Sequence, residues 1–474
     1  MSTKSIDAST TRRLRRAFVL VRESLAGKEH DYTQGSIGRA VLLLAVPMML
    51  EMAMESVFAV VDIFWVAGLG APAVAAVGLT EAVLTLLYAV AVGLSMAVTA
   101  FVARRIGAHE PDAAARVAGQ TVWLGVGAAA IVAAIGVPFA PEILRAMGAE
   151  PEVITGGARY TTLMLGGSVT IMLLFLFNAV LRGAGDAAFA MRVLWLANAI
   201  NIVLGPCFIY GVGPFPTLGV SGAAVATNIG RGIGALFGLY WLTNGRGRVV
   251  LKLRHWQLMP DVLWSLLKVS AGGVLQWVIA TSSYIVMVLL VSGYGSAAVA
   301  GNTIAYRIIV FTFLPAWGLS GAAATLVGQN LGARQPERAE RSVWVATRYN
   351  VLFLGLIAIV LVVFPASLVR IFTSEPDVLA YGATALRVVS LGFPLYAVGM
   401  TMVQAFNGAG DTSTPTWINV LCFWLLQLPL AYALARPVGL GPMGLFIAAA
   451  LAESVLAVVA WLVFRRGAWK LKVV

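Results

Sequence analysis

Long apolar stretches separated by short polar segments run through most of the 474 residues. A spanning helix needs about 20 mostly apolar residues. Such stretches lie near 40–66, 73–101, 117–139, 160–181, 190–211, 219–242, 263–291, 297–327, 343–365, 383–406, 415–435 and 442–464. All are too long and too continuous for membrane strands, which alternate over roughly 10 residues. The pattern predicts an all-α membrane protein of twelve transmembrane helices.

Composition supports that reading. The chain is 60% hydrophobic and 11% charged, with a mean hydropathy of +0.88. A soluble domain carries about 25% charge, so a soluble enzyme and a disordered chain are both excluded. The net charge of +12 would suggest nucleic acid as the partner of a soluble protein. Here it follows from lysine and arginine collecting in cytoplasmic loops, and no nucleic-acid partner is expected. With the N-terminus inside, 25 of the 33 basic residues fall in the tail, in 104–116, at Arg182 and Arg192, and in 246–268, 334–341 and 465–472. The outside loops hold Arg145, Arg159, Arg370 and Arg436, while Arg231, Arg307, Arg348 and Arg387 lie in or at the edge of spans. Both termini are therefore expected in the cytoplasm, with the chain crossing a plasma membrane of bacterial inner-membrane type. The expected domains are a tail over 1–39, a lobe over 40–242, a cytoplasmic linker over 243–262, a second lobe over 263–464, and a tail over 465–474.

The first tail carries Arg12, Arg13, Arg15 and Arg16. Arg15-Arg16-Ala17-Phe18 has the look of a twin-arginine signal, but the apolar stretch after it ends at Arg22-Glu23, too short for a signal core. The segment reads as a cytoplasmic tail with an amphipathic helix on the membrane surface. Cys207 and Cys422 lie in apolar runs and form no C-x-x-C site. His30, His109 and His255 all fall in loops, which leaves little for metal or histidine chemistry inside the membrane. No phosphate-binding G-x-x-x-x-G-K-[ST] stretch occurs. No enzyme activity, metal or cofactor is expected.

The chain repeats itself. Gly107-Ala-His-Glu-Pro111 is matched by Gly332-Ala-Arg-Gln-Pro336, and Arg182-Gly183-Ala-Gly-Asp186 by Asn407-Gly408-Ala-Gly-Asp411. Gly68, Gly70 and Ala73-Val74-Ala75 match Gly293, Gly295 and Ala298-Val299-Ala300. All three matches share an offset of 225 residues; near the sixth span the register slips by three, where Gly219-Val-Ser-Gly222 faces Gly441-Pro-Met-Gly444. Six spans per half is even, so the halves enter the membrane the same way. Parallel or inverted repeats around a midplane site are the architecture of secondary transporters.

The repeat also shows which residues the shared scaffold does not demand. Glu51, Glu55 and Asp62 lie on one stripe of the first span, within about 40° at ~100° per residue. Their partners are Gln276, Ala280 and Met287. An ionised acid facing lipid costs at least about 2 kcal/mol, so these three must face a wet cavity, pair with cations or carry protons. Glu81 in the second span faces Tyr306 across the repeat, and a Glu81–Arg307 bridge would make a gate between halves. Arg231 is a further candidate cavity charge. Asn178, Asn198, Asn201, Thr227 and Asn228 put amides and hydroxyls in spans four to six, as cation ligands or as interhelical glue. Phe58, Trp65, Tyr88, Trp277 and Tyr284 are candidate cavity-lining aromatics.

These residues carry a resemblance. Pro47-Met, Val61-Asp62-Ile63-Phe64, Gly68-Leu69-Gly70, Leu181-Arg182-Gly183-Ala184-Gly185-Asp186, Asn201-Ile202-Val203-Leu204-Gly205-Pro206 and Leu326-Val327-Gly328-Gln329-Asn330-Leu331-Gly332-Ala333 resemble the multidrug and toxic compound extrusion (MATE) family over nearly the whole chain. The resemblance is nearer the DinF-like than the NorM-like branch. It implies a V-shaped twelve-helix monomer that exports organic, often cationic, compounds in exchange for H⁺ or Na⁺ by alternating access. Asp62 matches the family's first-span coupling carboxylate. Asn178, Asn201 and Thr227 match the polar residues the DinF-like branch adds, and Glu51 and Glu55 join them as candidate cation-coupling groups. Two departures stand out: Gly205 where that branch often has Asp, and Ala280 where the NorM-like branch has Glu. The expected partners are a small organic substrate and membrane lipid, and the only co-substrate is the coupling ion, with H⁺ preferred. A rival reading is a flippase of lipids or lipid-linked sugars, which would want a cationic cavity around Arg231 and Arg307.

Overall fold

The computed structural model describes residues 18–473, so Arg12, Arg13, Arg15 and Arg16 of the expected tail helix lie outside the described residues. Eight helices form the first half: α1 (Ile37–Ala67), α2 (Ala71–Gly107), α3 (Pro111–Gly136), α4 (Ala140–Ala146), α5 (Pro151–Gly166), α6 (Ser168–Ala184), α7 (Ala187–Tyr210) and α8 (Val220–Thr243). Eight more form the second: α9 (Pro260–Ser292), α10 (Ser296–Gly332), α11 (Pro336–Val363), α12 (Pro365–Arg370), α13 (Pro376–Ser390), α14 (Phe393–Gly408), α15 (Ser413–Ala435) and α16 (Pro442–Arg465). Each helix has its counterpart eight labels further on. Gly70 and Gly295 open α2 and α10 at φ 93° and 98°, and Gly219 and Gly441 open α8 and α16, both at φ 57°. Only glycine takes such angles without strain. The second pair carries the three-residue slip into the backbone.

Apolar runs become helices here because a backbone in lipid must satisfy its own hydrogen bonds. Nine helices among the described residues are long and apolar enough to cross a membrane, or eleven when each bent pair counts as one. The twelfth expected span is α8, whose glycines and Thr227, Asn228 and Arg231 dilute its apolar character. The fourth and tenth spans, expected over 160–181 and 383–406, are each bent. Helices α5 and α6 meet at 41° beside Gly166 and Gly167, and α13 and α14 meet at 58° beside Gly392 and Pro394. Glycine weakens helix continuity at the first break, and glycine with proline at the second. Within α15, residues Val420–Gln427 wind as a π-helix just before Pro429.

The halves meet along four helices: α1 packs on α10, and α2 packs on α9 and α10. Lipid supplies no hydrophobic drive between helices, so close backbone packing carries the contact. A Cβ on Gly107 would lie 1.9 Å from the Gln329 carbonyl oxygen, and one on Gly332 would lie 2.1 Å from that of Arg104. Gly93 packs on Gly273, and Gly318 on Met48, in the same pseudo-symmetric way. The Gly107 and Gly332 approaches fall at one end of the molecule. Arg104 donates to the Lys472 carbonyl (2.7 Å), Arg338 to those of Gly35 and Gln34, Thr325 to that of Arg182 and Gln329 to that of Gly183. Among the described residues, all side-chain hydrogen bonds between the halves cluster at this basic end.

Candidate functional site

Beyond that crossing, a cavity of about 340 Å³ lies between the halves. Its lining mixes Met48, Met52 and Met96 with Tyr88, Trp277 and Trp317, and the charged side chains Glu51, Glu55 and Arg182. Trp277 and Trp317 stand nearly parallel, 9° apart with centroids at 5.4 Å. Of the aromatics expected to line it, Tyr88 and Trp277 do, whereas Phe58, Trp65 and Tyr284 do not.

The acidic stripe of α1 divides into three environments. Glu51 is 1% exposed and accepts from Arg182 Nη1 (3.0 Å) and Asn178 Nδ2 (3.1 Å). Its Oε2 and the Asn178 Oδ1 have no partner. Glu55, one turn on, accepts from Asn198 Nδ2 (3.0 Å) and Arg231 Nη2 (3.4 Å). The buried Arg231 guanidinium also lies over Phe58 and Tyr88, 5.6 Å and 5.9 Å from the ring centroids. Asp62, about two turns further along the helix, is half-buried and makes neither hydrogen bond nor ion pair among the described residues. So two acids of the stripe are held by arginines and the third is free.

The other expected site residues distribute as follows. Asn178 joins the Glu51 cluster. Asn201 donates to Thr227 (2.8 Å), tying α7 to α8 rather than reaching Asp62. Glu81 and Arg307 are both exposed and form no ion pair in this conformation, so the bridge expected between them is not made. Arg231 faces Glu55 instead of standing alone.

The repeat makes the second half a comparison. Gln276 replaces Glu51, and Asn407 replaces Arg182; their amides bond at 3.1 Å where the first half has an ion pair. Ala280 replaces Glu55. With the three-residue slip, the position of Arg231 on α8 becomes Glu453 on α16. Sequence reasoning missed Glu453, although that slip would have found it. Its Oε2 is buried without any hydrogen-bond partner.

A sequence profile of the family MatE matches residues 47–207 and 274–433, most of both halves. The chain belongs to the MatE family. It is similar to the probable multidrug resistance protein NorM of Thermotoga maritima, 29% identical over 87% of this chain and 88% of that one. It also resembles the probable multidrug resistance protein YoeA of Bacillus subtilis, at 26% identity over 92% and 95%. A solved structure of a transporter of the MOP superfamily from Pyrococcus furiosus superposes with a TM-score of 0.87 at 27% identity, covering 93% of this chain and 98% of that one. This MatE chain is thus a multi-pass membrane transporter of the multidrug efflux family. The branch within the family stays undecided, since a relative named NorM stands beside the DinF-like features. The flippase reading is not favoured: the two relatives above are named for multidrug resistance, and Arg231 is paired with Glu55.

Proposed function

We propose that this MatE transporter exports organic cations in exchange for H⁺, by alternating access around the cavity between its halves. The observation that carries this reading is Asp62, a free carboxylate on the helix whose other two acids are neutralised. An acid already paired with arginine has little to gain from a proton. An unpaired one in a half-buried position can take up and release a cation as water reaches it. The positive-inside count puts the basic end in the cytoplasm. On that orientation the tied end faces the cytoplasm, and protons enter from outside. Protonating Asp62 lowers the negative charge available to an organic cation, so that proton and substrate compete for the first half. A ligand shifts such an equilibrium only by binding one state better, and the competition supplies that difference. Methionines and parallel tryptophans suit flat, apolar cations of varied shape. The test is efflux of a fluorescent organic cation from proteoliposomes under separately imposed H⁺ and Na⁺ gradients. The reading requires the H⁺ gradient alone to drive it. Efflux driven by Na⁺ alone overturns the coupling ion, and efflux under neither gradient overturns antiport.

A further inference from the structure

The first half holds its buried cation and its acid together; the second half holds an acid alone. Arg231 of α8 meets Glu55 of α1, whereas the equivalent positions of the second half hold Glu453 on α16 and Ala280 on α9. The equivalence rests on Gly219 and Gly441, which open α8 and α16 with the same backbone angles (φ 57° for both, ψ −138° and −142°). Glu453 is therefore not a scaffold residue that both halves require. It reverses the charge found at that position in the first half, and an alanine stands where the first half has the matching acid.

Its surroundings offer no substitute. The titratable groups that face it are Tyr306 of α10, Tyr396 of α14 and Cys422 of α15. Tyr306 stacks on Tyr284 of α9 (3.9 Å between centroids), and Tyr396 on Phe313 (4.5 Å). No lysine, arginine or histidine among the described residues comes within ion-pair distance, from α13 or from any other helix packed on α16. Burying an ionised carboxylate without a cation or donors costs several kcal/mol, and such groups neutralise instead. Glu453 as a residue is only half-buried, so a proton can still reach it.

The geometry points to Glu453 as a proton-binding site of the second half, separate from the cavity and from Asp62. Asp62 is then the arginine-free acid of the α1 stripe in the first half, and Glu453 is an arginine-free acid on the last helix of the second. The idea adds a second ion site to the proposed antiport, but its test uses neither substrate nor gradient, so the two can fail independently.

The test is infrared spectroscopy of the full chain in lipid across a pH titration, for wild type, Glu453→Gln and Glu453→Asp. Wild type should show a protonated-carboxyl carbonyl band at neutral pH that disappears on alkalinisation. Glu453→Gln should lack it and release about one proton fewer per molecule over the titration. Glu453→Asp should keep the band at a shifted position, which guards against reading a misfolded Gln variant. Spectra of wild type and Glu453→Gln that match in this region at every pH would overturn the assignment. So would loss of the band on adding Na⁺ at constant pH, which would make the site one for sodium.

Discussion

Glu55 and Arg231 form an ion pair at 3.4 Å across the interior of the first half, and Asp62 on the same helix has no such partner. One helix face thus carries two kinds of acid. Arg182 and Arg231 fix Glu51 and Glu55 as parts of the structure, which leaves Asp62 to change its charge during a transport cycle. Breaking a buried pair by removing one partner costs about 3–5 kcal/mol, because a charge is left uncompensated. Glu55→Gln alone should therefore lower thermal stability clearly, and Arg231→Gln alone should do the same. The double variant Glu55→Gln/Arg231→Gln should recover most of the loss in a thermal unfolding series. Additive losses in the double variant would contradict the pair.

The crossing at the basic end makes a second prediction. Gly107→Ala and Gly332→Ala each force a methyl into a carbonyl oxygen of the other half, at 1.9 Å and 2.1 Å. Overpacking of this kind costs about 1–3 kcal/mol. Gly127→Ala and Gly355→Ala meet nothing within 4 Å and should be neutral or slightly stabilising. Melting temperatures of the four variants check this, and equal behaviour would remove the crossing from the account.

A third prediction concerns pH. Asp186 sits in the loop between α6 and α7, where burial pushes its carboxyl up to about 6 against the pull of Arg248. The folded chain therefore holds this proton more tightly than the unfolded chain does. Below pH ~4 both states are protonated and burial carries no charge penalty. As pH rises from ~4 to ~6 the unfolded state ionises first, and stability falls by about 3 kcal/mol. Asp186→Asn should flatten the stability profile over that window and raise stability at neutral pH. An unchanged profile in thermal melts from pH 4 to 7 would contradict the burial argument.

The cavity yields a fourth. Trp277 lines it and stands parallel to Trp317. Cation–π and stacking contacts of this type contribute about 0.5–2 kcal/mol. Trp277→Ala should weaken binding of a flat aromatic cation between roughly twofold and thirtyfold, measured by fluorescence titration, with little effect on a small aliphatic cation. Equal losses for the two ligands would indicate a general packing defect.

Much of this molecule was legible in its sequence because lipid imposes simple rules. Continuous apolar runs gave the helices, and the 225-residue offset gave the two halves. The bends at Gly166–Gly167 and Gly392–Pro394 escaped because hydropathy is blind to direction. The α1 stripe was visible from helical spacing alone. What spacing could not show was which acid each arginine would reach, since Arg182 and Arg231 come from helices more than 100 residues away. Glu453 escaped for a different reason. At an offset of 225 Arg231 faces Leu456, and only the register of α16, three residues shorter, pairs it with Glu453.

The central claim is that Asp62 carries the coupling charge. The most direct measurement compares wild type with Asp62→Asn in proteoliposomes, reading both equilibrium binding of an organic cation and its efflux under an imposed H⁺ gradient. The account predicts that Asp62→Asn folds, keeps measurable binding through the cavity, and loses gradient-driven efflux. Efflux at the wild-type rate in Asp62→Asn would contradict it.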